Sequence, residues 1–557
     1  MLQRFGYFRL GFSGCGRSCN NDHFDSVRKT VFDRQKTFSY QTNCPVANYK
    51  GKLYKGQWPT VPEMFEISVD RVPERACFTD FEGTAGAKNT LTYSQVYKIV
   101  KDLAYWIMGQ GIQKGDRIAV TGKNSPEWAS VYLASLFAGA IICPLDYALH
   151  NSEQENLLAT AKPKLFFVDE EKYPYYISKP QDFSVYSLSP KFADTYVYNL
   201  KAPQCQLSQV LLEDTATILF TSGTTGKPKG VMLSHKNLVS DAYIAQQNMK
   251  LYYTDVFYAL LPIHHAYTMQ AVFIEGLSVG SEIVFGKSMA SSRMVRELKE
   301  GNVTMLLGVP LLFNKLASGI IKGIKGKGLL AYAFIRCLMS FSYFCRKVFH
   351  LNPGKKIFSS ILEKAGISKV RIAICGGGPL AKSVFRFFNQ MGINFVQGYG
   401  LTETSPIIAL NPIEHFKIKS VGSYFAGHME MKILNPNEEG IGEIAVKGPM
   451  VMQGYYQMEE ETAKVFTPDG FFKTGDLGWL DKENYLMLSG RVKNMIVTEG
   501  GKNVYPEEIE DAFQLETDIA QITVQGYIAN KDTRSEELEA LVYPSDDFYA
   551  EIKMERS

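Results

Sequence analysis

From Tyr93 to Val168 the chain alternates between two periodicities, and this limits the possible folds more than any other feature. Tyr93–Gly109 carries Val96, Ile99, Val100, Leu103 and Ile107 at helical spacing. Glycines at 111 and 115 end that pattern, and Arg117–Thr121 is an apolar run of strand length. Asn124, Ser125 and Pro126 open a second helix running to Phe137, residues 138–144 are predicted as the next buried strand, and residues 164–168 as another. Strands separated by helices pair in parallel, with the helices covering the sheet faces, so the expectation is an open, doubly wound α/β sheet. Ligands of such sheets bind beyond the carboxyl ends of the strands. Between Gly422 and Tyr456 the pattern changes to short strands broken by Gly, Pro and Asn, which predicts a small antiparallel barrel or sheet. With 557 residues the chain is long enough for several cores.

One loop stands out for chemistry. Thr221, Ser222, Gly223, Thr224, Thr225, Gly226, Lys227, Pro228, Lys229 and Gly230 follow the apolar run Ile218, Leu219, Phe220 and precede the strand Val231, Met232, Leu233. Its three glycines let backbone N–H groups turn toward an anion, its four hydroxyls add donors, and Lys227 and Lys229 add charge. That combination suits a polyphosphate. The spacing differs from the P-loop, because no Gly-Lys-Ser/Thr closes it. Taken alone, such a loop is also an ordinary polar hairpin.

Further candidates sit at predicted strand ends. Pro262, Ile263, His264 and His265 follow a strand over residues 257–261, and no further Cys, His or carboxylate at close spacing marks a metal site there. Gly376, Gly377 and Gly378 follow a strand over 370–375 and allow close backbone approach to a flat ligand. A strand over 394–397 leads into Gly398, Tyr399, Gly400, Leu401, Thr402, Glu403 and Thr404. Thr474, Gly475, Asp476 and then Arg491, Val492, Lys493 and Asn494 come later. Each acid taken singly is ordinarily a salt-bridge partner or a helix cap.

A net charge of +3 gives no general argument for nucleic-acid binding. Nine scattered cysteines, with no Cys/His pairing near Cys15 and Cys19, suggest reduced thiols and a cytoplasmic setting. No unbroken apolar run reaches the ~18 residues of a membrane span, so none is expected. Residues 311–369 hold eleven Lys or Arg and one acid, Glu363, with Leu330, Phe334, Leu338, Phe341, Cys345 and Val348 on one helical face. That segment either packs its stripe on its own domain or touches an anionic membrane peripherally. Residues 1–57 carry Arg4, Arg9 and Arg17 ahead of the first acid, Asp22, and are expected to be a disordered extension.

Taken in order, these segments resemble the adenylate-forming acyl-CoA synthetases, most closely the long-chain fatty-acid–CoA ligases, from about Thr60 to Glu510. The resemblance implies a large N-terminal domain over residues 58–489, made of two doubly wound lobes and a distorted β-barrel, and a small α+β lid over 490–557 hinged at Asn494. It implies ATP, Mg²⁺ and coenzyme A, with a long-chain fatty acid activated first to acyl-AMP and then to acyl-CoA. The loop from Thr221 to Lys229 would hold the β- and γ-phosphates, and Glu403 the Mg²⁺. Thr402 would touch the α-phosphate, and Tyr399 and Gly400 the adenine, beside the backbone of Gly376, Gly377 and Gly378. Asp476 would accept from the ribose and Arg491 reach the ribose or phosphate, while His265 would lie near the acyl carboxylate. Lys493 and Gly501 would add cofactor contacts from the lid.

The sequence departs from the family in two places. Asn494 stands where many members carry Asp. Relatives close the lid with a Gly-Lys motif, and none is evident between Glu510 and Ser557. The lid is therefore expected to be short and adenylation slow. Two other readings stay open: an impaired nucleotide- or acyl-binding fragment, and an adenylating enzyme that serves a carrier protein or activates an amino acid. An amino-acid pocket would need an acid to pair with the substrate amine.

Overall fold

The computed structural model describes residues 58–82, 87–221, 228–288, 290–497, 503–513, 519–530, 535–544 and Phe548. The expected extension over residues 1–57 lies outside that set.

The helices begin where side chains satisfy free N–H groups. Thr60 and Glu63 form a reciprocal cap for Val61–Arg71, with the Thr60 N–H donating to Glu63 Oε2 at 2.8 Å. Thr92 and Gln95 do the same for Tyr93–Gly109. Ser125 accepts from the Trp128 N–H at 3.1 Å and starts Pro126–Phe137, with Pro126 in the first turn, where its missing N–H costs nothing.

The chain begins one sheet with β1 (Ala76–Asp80) and β2 (Asn89–Thr92). It then leaves to build a second from β3 (Arg117–Thr121), β4 (Ile141–Leu145), β5 (Leu165–Val168), β6 (Ser184–Ser187), β7 (Thr215–Thr221) and β8 (Lys229–Ser234). It returns through β9 (Val256–Ala259), β10 (Glu282–Phe285), β11 (Met305–Gly308), β12 (Ile372–Cys375) and β13 (Asn394–Gly400). Next come β14 (Ile407–Leu410), β15 (Gly422–Tyr424), β16 (Glu430–Leu434), β17 (Gly442–Lys447), β18 (Gly454–Tyr455), β19 (Phe472–Leu480) and β20 (Tyr485–Arg491). The smaller sheet has the order β18-β8-β7-β4-β3-β5-β6, parallel from β7 to β6. The larger runs β16-β17-β19-β20-β15-β14-β13-β12-β11-β9-β10-β1-β2. It is parallel from β13 to β1 and turns antiparallel at β14. The interior strands are apolar without alternation, and all four residues of β5, β9 and β11 are buried, because helices cover both faces.

Aromatic packing joins the two sheets' helical layers. Trp128 stacks on Tyr132 at 5.5 Å, and Phe273, from the connection between β9 and β10, meets both rings edge-on. Such pairs add ~0.5–1.5 kcal/mol each beyond area burial.

Several sequence expectations change. The barrel is replaced by an antiparallel extension of the larger sheet, open at β16 among the described residues. The strand expected over 138–144 starts only at Ile141, because Gly139 turns at φ 77° to end the preceding helix. The strand expected over 257–261 stops at Ala259. The helix Leu329–Phe349 is long and apolar enough to cross a membrane by length and composition, although Arg336 interrupts its apolar run. After β20 come β21 (Ile496–Val497), β22 (Asn503–Val504), the helix Pro506–Ala512, and the hairpin of β23 (Ile519–Asn530) and β24 (Ser535–Pro544). The Asn494 Nδ2 donates to Glu507 Oε1 at 2.7 Å, tying this segment to the end of β20.

Candidate functional site

The carboxyl ends of β7, β9, β12 and β13 carry most of the residues singled out from the sequence, and β19 and β20 carry Asp476 and Arg491. The sheet changes from parallel to antiparallel between β13 and β14, and the segment between them forms the centre of the site. Gly400 has no room for a side chain, since a Cβ would lie 1.8 Å from the Pro406 carbonyl oxygen. Thr404 locks the turn that follows, its hydroxyl donating to the Pro406 carbonyl at 2.6 Å and accepting from the Leu401 N–H at 3.1 Å. Thr402 and Glu403 lie in this fixed turn.

Glu403 is held from two sides. Its backbone carbonyl accepts from the Met452 N–H at 2.8 Å, and its Oε1 accepts from the Tyr455 hydroxyl at 2.9 Å. Oε2 has no hydrogen bond among the described residues. Tyr455 was not singled out from the sequence. It lies on β18, which pairs with β8 and so reaches the glycine-rich loop. Lys229 Nζ sits 4.7 Å from the centre of the Tyr455 ring and 2.9 Å from Glu461 Oε2. Lys464 and Lys229 together hold the Glu461 carboxyl down at about 2. Lys229 is therefore charge-paired where the sequence expectation had it facing phosphate. The loop is the turn of an antiparallel β7–β8 hairpin, so it is a hairpin as well as a candidate phosphate site. Its Ser222, Gly223, Thr224, Thr225, Gly226 and Lys227 lie outside the described residues, as does Gly501.

A second cluster joins β13, β19 and β20. The Tyr399 hydroxyl donates to Asp476 Oδ2 at 2.6 Å, and Arg491 Nε lies 3.1 Å from Asp476 Oδ1. Asp476 and Arg491 are cross-strand partners, so the sheet register itself brings them together. Burial pushes the Asp476 carboxyl up, against the Tyr399 hydrogen bond and the Arg491 charge, which hold it down. Each oxygen keeps acceptor capacity for further donors. Gly376 stands over Tyr267, whose ring a Cβ would meet at 3.1 Å, and Gly377 takes φ 75°, a left-handed conformation. Both follow from the sharp exit of β12.

A cavity of about 230 Å³ opens between these groups. Its lining combines His265, Tyr267, Gly376, Gly377, Tyr399 and Thr402 with the apolar Ala245, Met249, Phe257, Met305, Leu307 and Ile374. Burial lowers His265 to about 4, so its imidazole is neutral at physiological pH. Its neighbour His264 is buried and places Nε2 3.4 Å from Asp146 Oδ1 at the end of β4, and that contact holds Asp146 near 2. His264, His265 and Asp146 present ligand atoms within 4.8 Å of one another. No carboxylate lies near the histidine pair in sequence, and the fold supplies one in space. The third group comes from 118 residues upstream and from the other sheet, so local spacing could not reveal it. Asp241 and Glu275 also line the cavity, and burial raises both carboxyls well above the ordinary range. Asp241 accepts from the Ile407 N–H at 2.9 Å.

Comparison with known proteins places this arrangement. Residues 65–456 match the family model of AMP-binding enzymes. The chain is 28% identical over 492 residues to a long-chain-fatty-acid–CoA ligase of Rattus norvegicus, covering 81% of this chain and 72% of that protein. It is 28% identical over 593 residues to a chloroplastic long-chain-fatty-acid–acyl-carrier-protein ligase of Arabidopsis thaliana, covering 88% and 80%. Among solved structures, ATP-bound MatB from Rhodopseudomonas palustris is 26% identical, with a TM-score of 0.70 over 87% of this chain and 89% of that one. An o-succinylbenzoate–CoA synthetase from Bacillus subtilis with ATP and magnesium shares the fold at 23% identity and a TM-score of 0.68, covering 86% and 89%. The family model spans most of the sequence, and the chain belongs to the AMP-binding enzyme family.

Proposed function

We propose that this protein activates a long-chain fatty acid with ATP and passes the acyl group to the thiol of coenzyme A. The observation that carries the reading is the cavity, whose lining combines an apolar wall of Ala245, Met249, Phe257, Met305 and Leu307 with Tyr399, Gly376, Gly377 and Thr402. An acyl chain fits against the wall, and its carboxylate then meets a nucleotide held at the β13 end. In the first half-reaction a carboxylate oxygen attacks the α-phosphorus, the bond to the β-phosphate oxygen breaks, and pyrophosphate leaves with the electron pair. In the second the thiolate attacks the acyl carbonyl and AMP leaves as the C–O bond breaks.

The residues divide the work by position. Asp476, held by Tyr399 and Arg491, accepts from the ribose hydroxyls. Neutral His265 lies beside the carboxylate without pairing with it as a fixed cation would. Thr402 faces the α-phosphate, and the loop from Thr221 to Lys229 takes the β- and γ-phosphates. Glu403 offers Oε2, which takes no hydrogen bond among the described residues, as an oxygen ligand of the kind a hard divalent ion prefers, and Mg²⁺ there would offset phosphate charge. Lys229 is already paired with Glu461, so a phosphate contact would share or compete with that ion pair.

The test is fatty-acid-dependent exchange of pyrophosphate into ATP across a chain-length series. Each buried CH₂ adds ~0.8 kcal/mol, so kcat/KM should climb steeply with length up to long chains. A maximum at acetate or at an aromatic acid refutes the substrate class. Similarity to the Arabidopsis ligase favours one second reading, transfer to a carrier protein, and offering coenzyme A and an acyl carrier protein in parallel separates the two.

A further inference from the structure

The helix Leu329–Phe349 faces solvent with the wrong chemistry for a surface helix. Met339, Ser342 and Cys345 turn inward. Leu330, Phe334, Cys337, Phe341, Phe344 and Val348 follow at steps of four and three residues and form one continuous outward stripe. Leu330 is 90% exposed, Phe334 65%, Phe341 and Phe344 55% each, and Val348 52%. Of the face expected from the sequence, Leu338 and Cys345 turn toward the protein, and the rest does not pack on its own domain. The exposed apolar surface continues through Phe349 and Leu351. A patch of this kind marks an interaction surface.

Charge identifies the occupant. Between Pro310 and Phe358 there are nine Lys or Arg and no acid. Three of the nine are used internally: Arg346 donates to the Ile393 carbonyl at 3.1 Å, Lys347 to the Phe416 carbonyl at 3.2 Å, and Lys355 to the Val370 carbonyl at 2.9 Å. The other six, Lys315, Lys322, Lys325, Lys327, Arg336 and Lys356, are exposed. Four lie on or just after the neighbouring helix Pro310–Lys325, and Lys325 Nζ sits 5.7 Å from the Tyr332 ring, beside the start of the stripe. A second copy of the chain would set these cations against one another. A surface that is apolar and negatively charged satisfies both features.

We propose that Leu329–Phe349 lies in the plane of an anionic lipid surface, its Leu330–Val348 stripe among the acyl chains and the six cations at the headgroups. The inward face of the same helix packs on the protein through Met339 and Cys345, so the helix lies on the bilayer and does not span it. The placement is independent of the acyl substrate.

The test uses the full chain and vesicles of phosphatidylcholine with or without phosphatidylserine. Cosedimentation should need the anionic lipid and fall by about tenfold or more on raising salt severalfold. The double variant Leu330→Asp and Phe341→Asp should lose binding by at least about tenfold. Because both side chains are exposed, it should keep its circular dichroism and melting temperature. A polarity-sensitive fluorophore on Cys337, with Cys15, Cys19, Cys44 and Cys205 replaced by Ser, should shift to the blue when anionic vesicles are added. Four results overturn the proposal: no vesicle binding; binding indifferent to lipid charge and to the double variant; resistance to alkaline carbonate extraction, which marks a spanning helix; or lipid-free self-association abolished by the double variant, which marks a second copy as the occupant.

Discussion

Replacing Tyr399 with Phe removes one hydroxyl and keeps the ring, which makes it a sharp probe of the proposed nucleotide site. In the wild-type protein that hydroxyl donates to Asp476 Oδ2 at 2.6 Å inside the protein. A hydrogen bond to a charged group is worth ~1.5–3 kcal/mol. Arg491 remains on the other oxygen, but its side chain is 61% exposed, so solvent screens much of its contribution. The Tyr399 hydrogen bond is the largest influence holding the Asp476 carboxyl down against burial, so its loss lets that carboxyl rise further. If ionised Asp476 accepts the ribose hydroxyls, ATP affinity falls as the pH drops through its titration, and in Tyr399→Phe that fall should begin at a higher pH. At neutral pH the variant should bind ATP roughly 10–150-fold more weakly if the whole hydrogen-bond energy is expressed, and less if Arg491 compensates. Titration calorimetry with ATP across about pH 5–8 measures both quantities. Coincident pH profiles for the two proteins, together with equal affinity at neutral pH, would refute the coupling of Tyr399 to the nucleotide through Asp476.

Tyr455→Phe removes the donor that fixes Glu403 while keeping the ring beneath Lys229; kcat/KM for ATP in pyrophosphate exchange should drop by roughly tenfold or more, recovering in part at high Mg²⁺. Gly400→Ala should abolish exchange and lower the melting temperature, because the new methyl would lie 1.8 Å from a backbone oxygen; a well-folded, active variant would show that this turn has freedom. Burial raises the Glu275 carboxyl well above its ordinary range in the folded protein, whereas the unfolded chain ionises near ~4.3. Folding stability from this group is therefore full below that value and declines as the pH rises above it. Glu275→Gln should accordingly gain melting temperature relative to wild type between about pH 4 and 7, and a gain that shrinks over that range contradicts a buried neutral carboxyl.

The sequence by itself determined the local parts of this protein. Ser125 with Pro126 marks a helix start that the structure places at the same residues, because caps depend only on neighbours three positions away. Arg117–Thr121 and Leu165–Val168 were legible as buried strands from their composition, and the order of motifs from Thr221 to Arg491 was enough to indicate the family. The tertiary structure alone decided what those motifs touch. Tyr455 serves Glu403 because β18 pairs with β8, and Asp476 meets Arg491 because β19 and β20 adopt one register. Asp146 joins His264 and His265 because strands of two separate sheets end at one cleft. Of the barrel or sheet expected over 422–456, the fold takes the open sheet, since short alternating strands specify pairing but not closure. Likewise, the stripe on Leu329–Phe349 was visible as a pattern of side chains, while its exposure depended on which face the rest of the fold covered. Periodicity is a property of one segment, and burial is a property of everything packed around it.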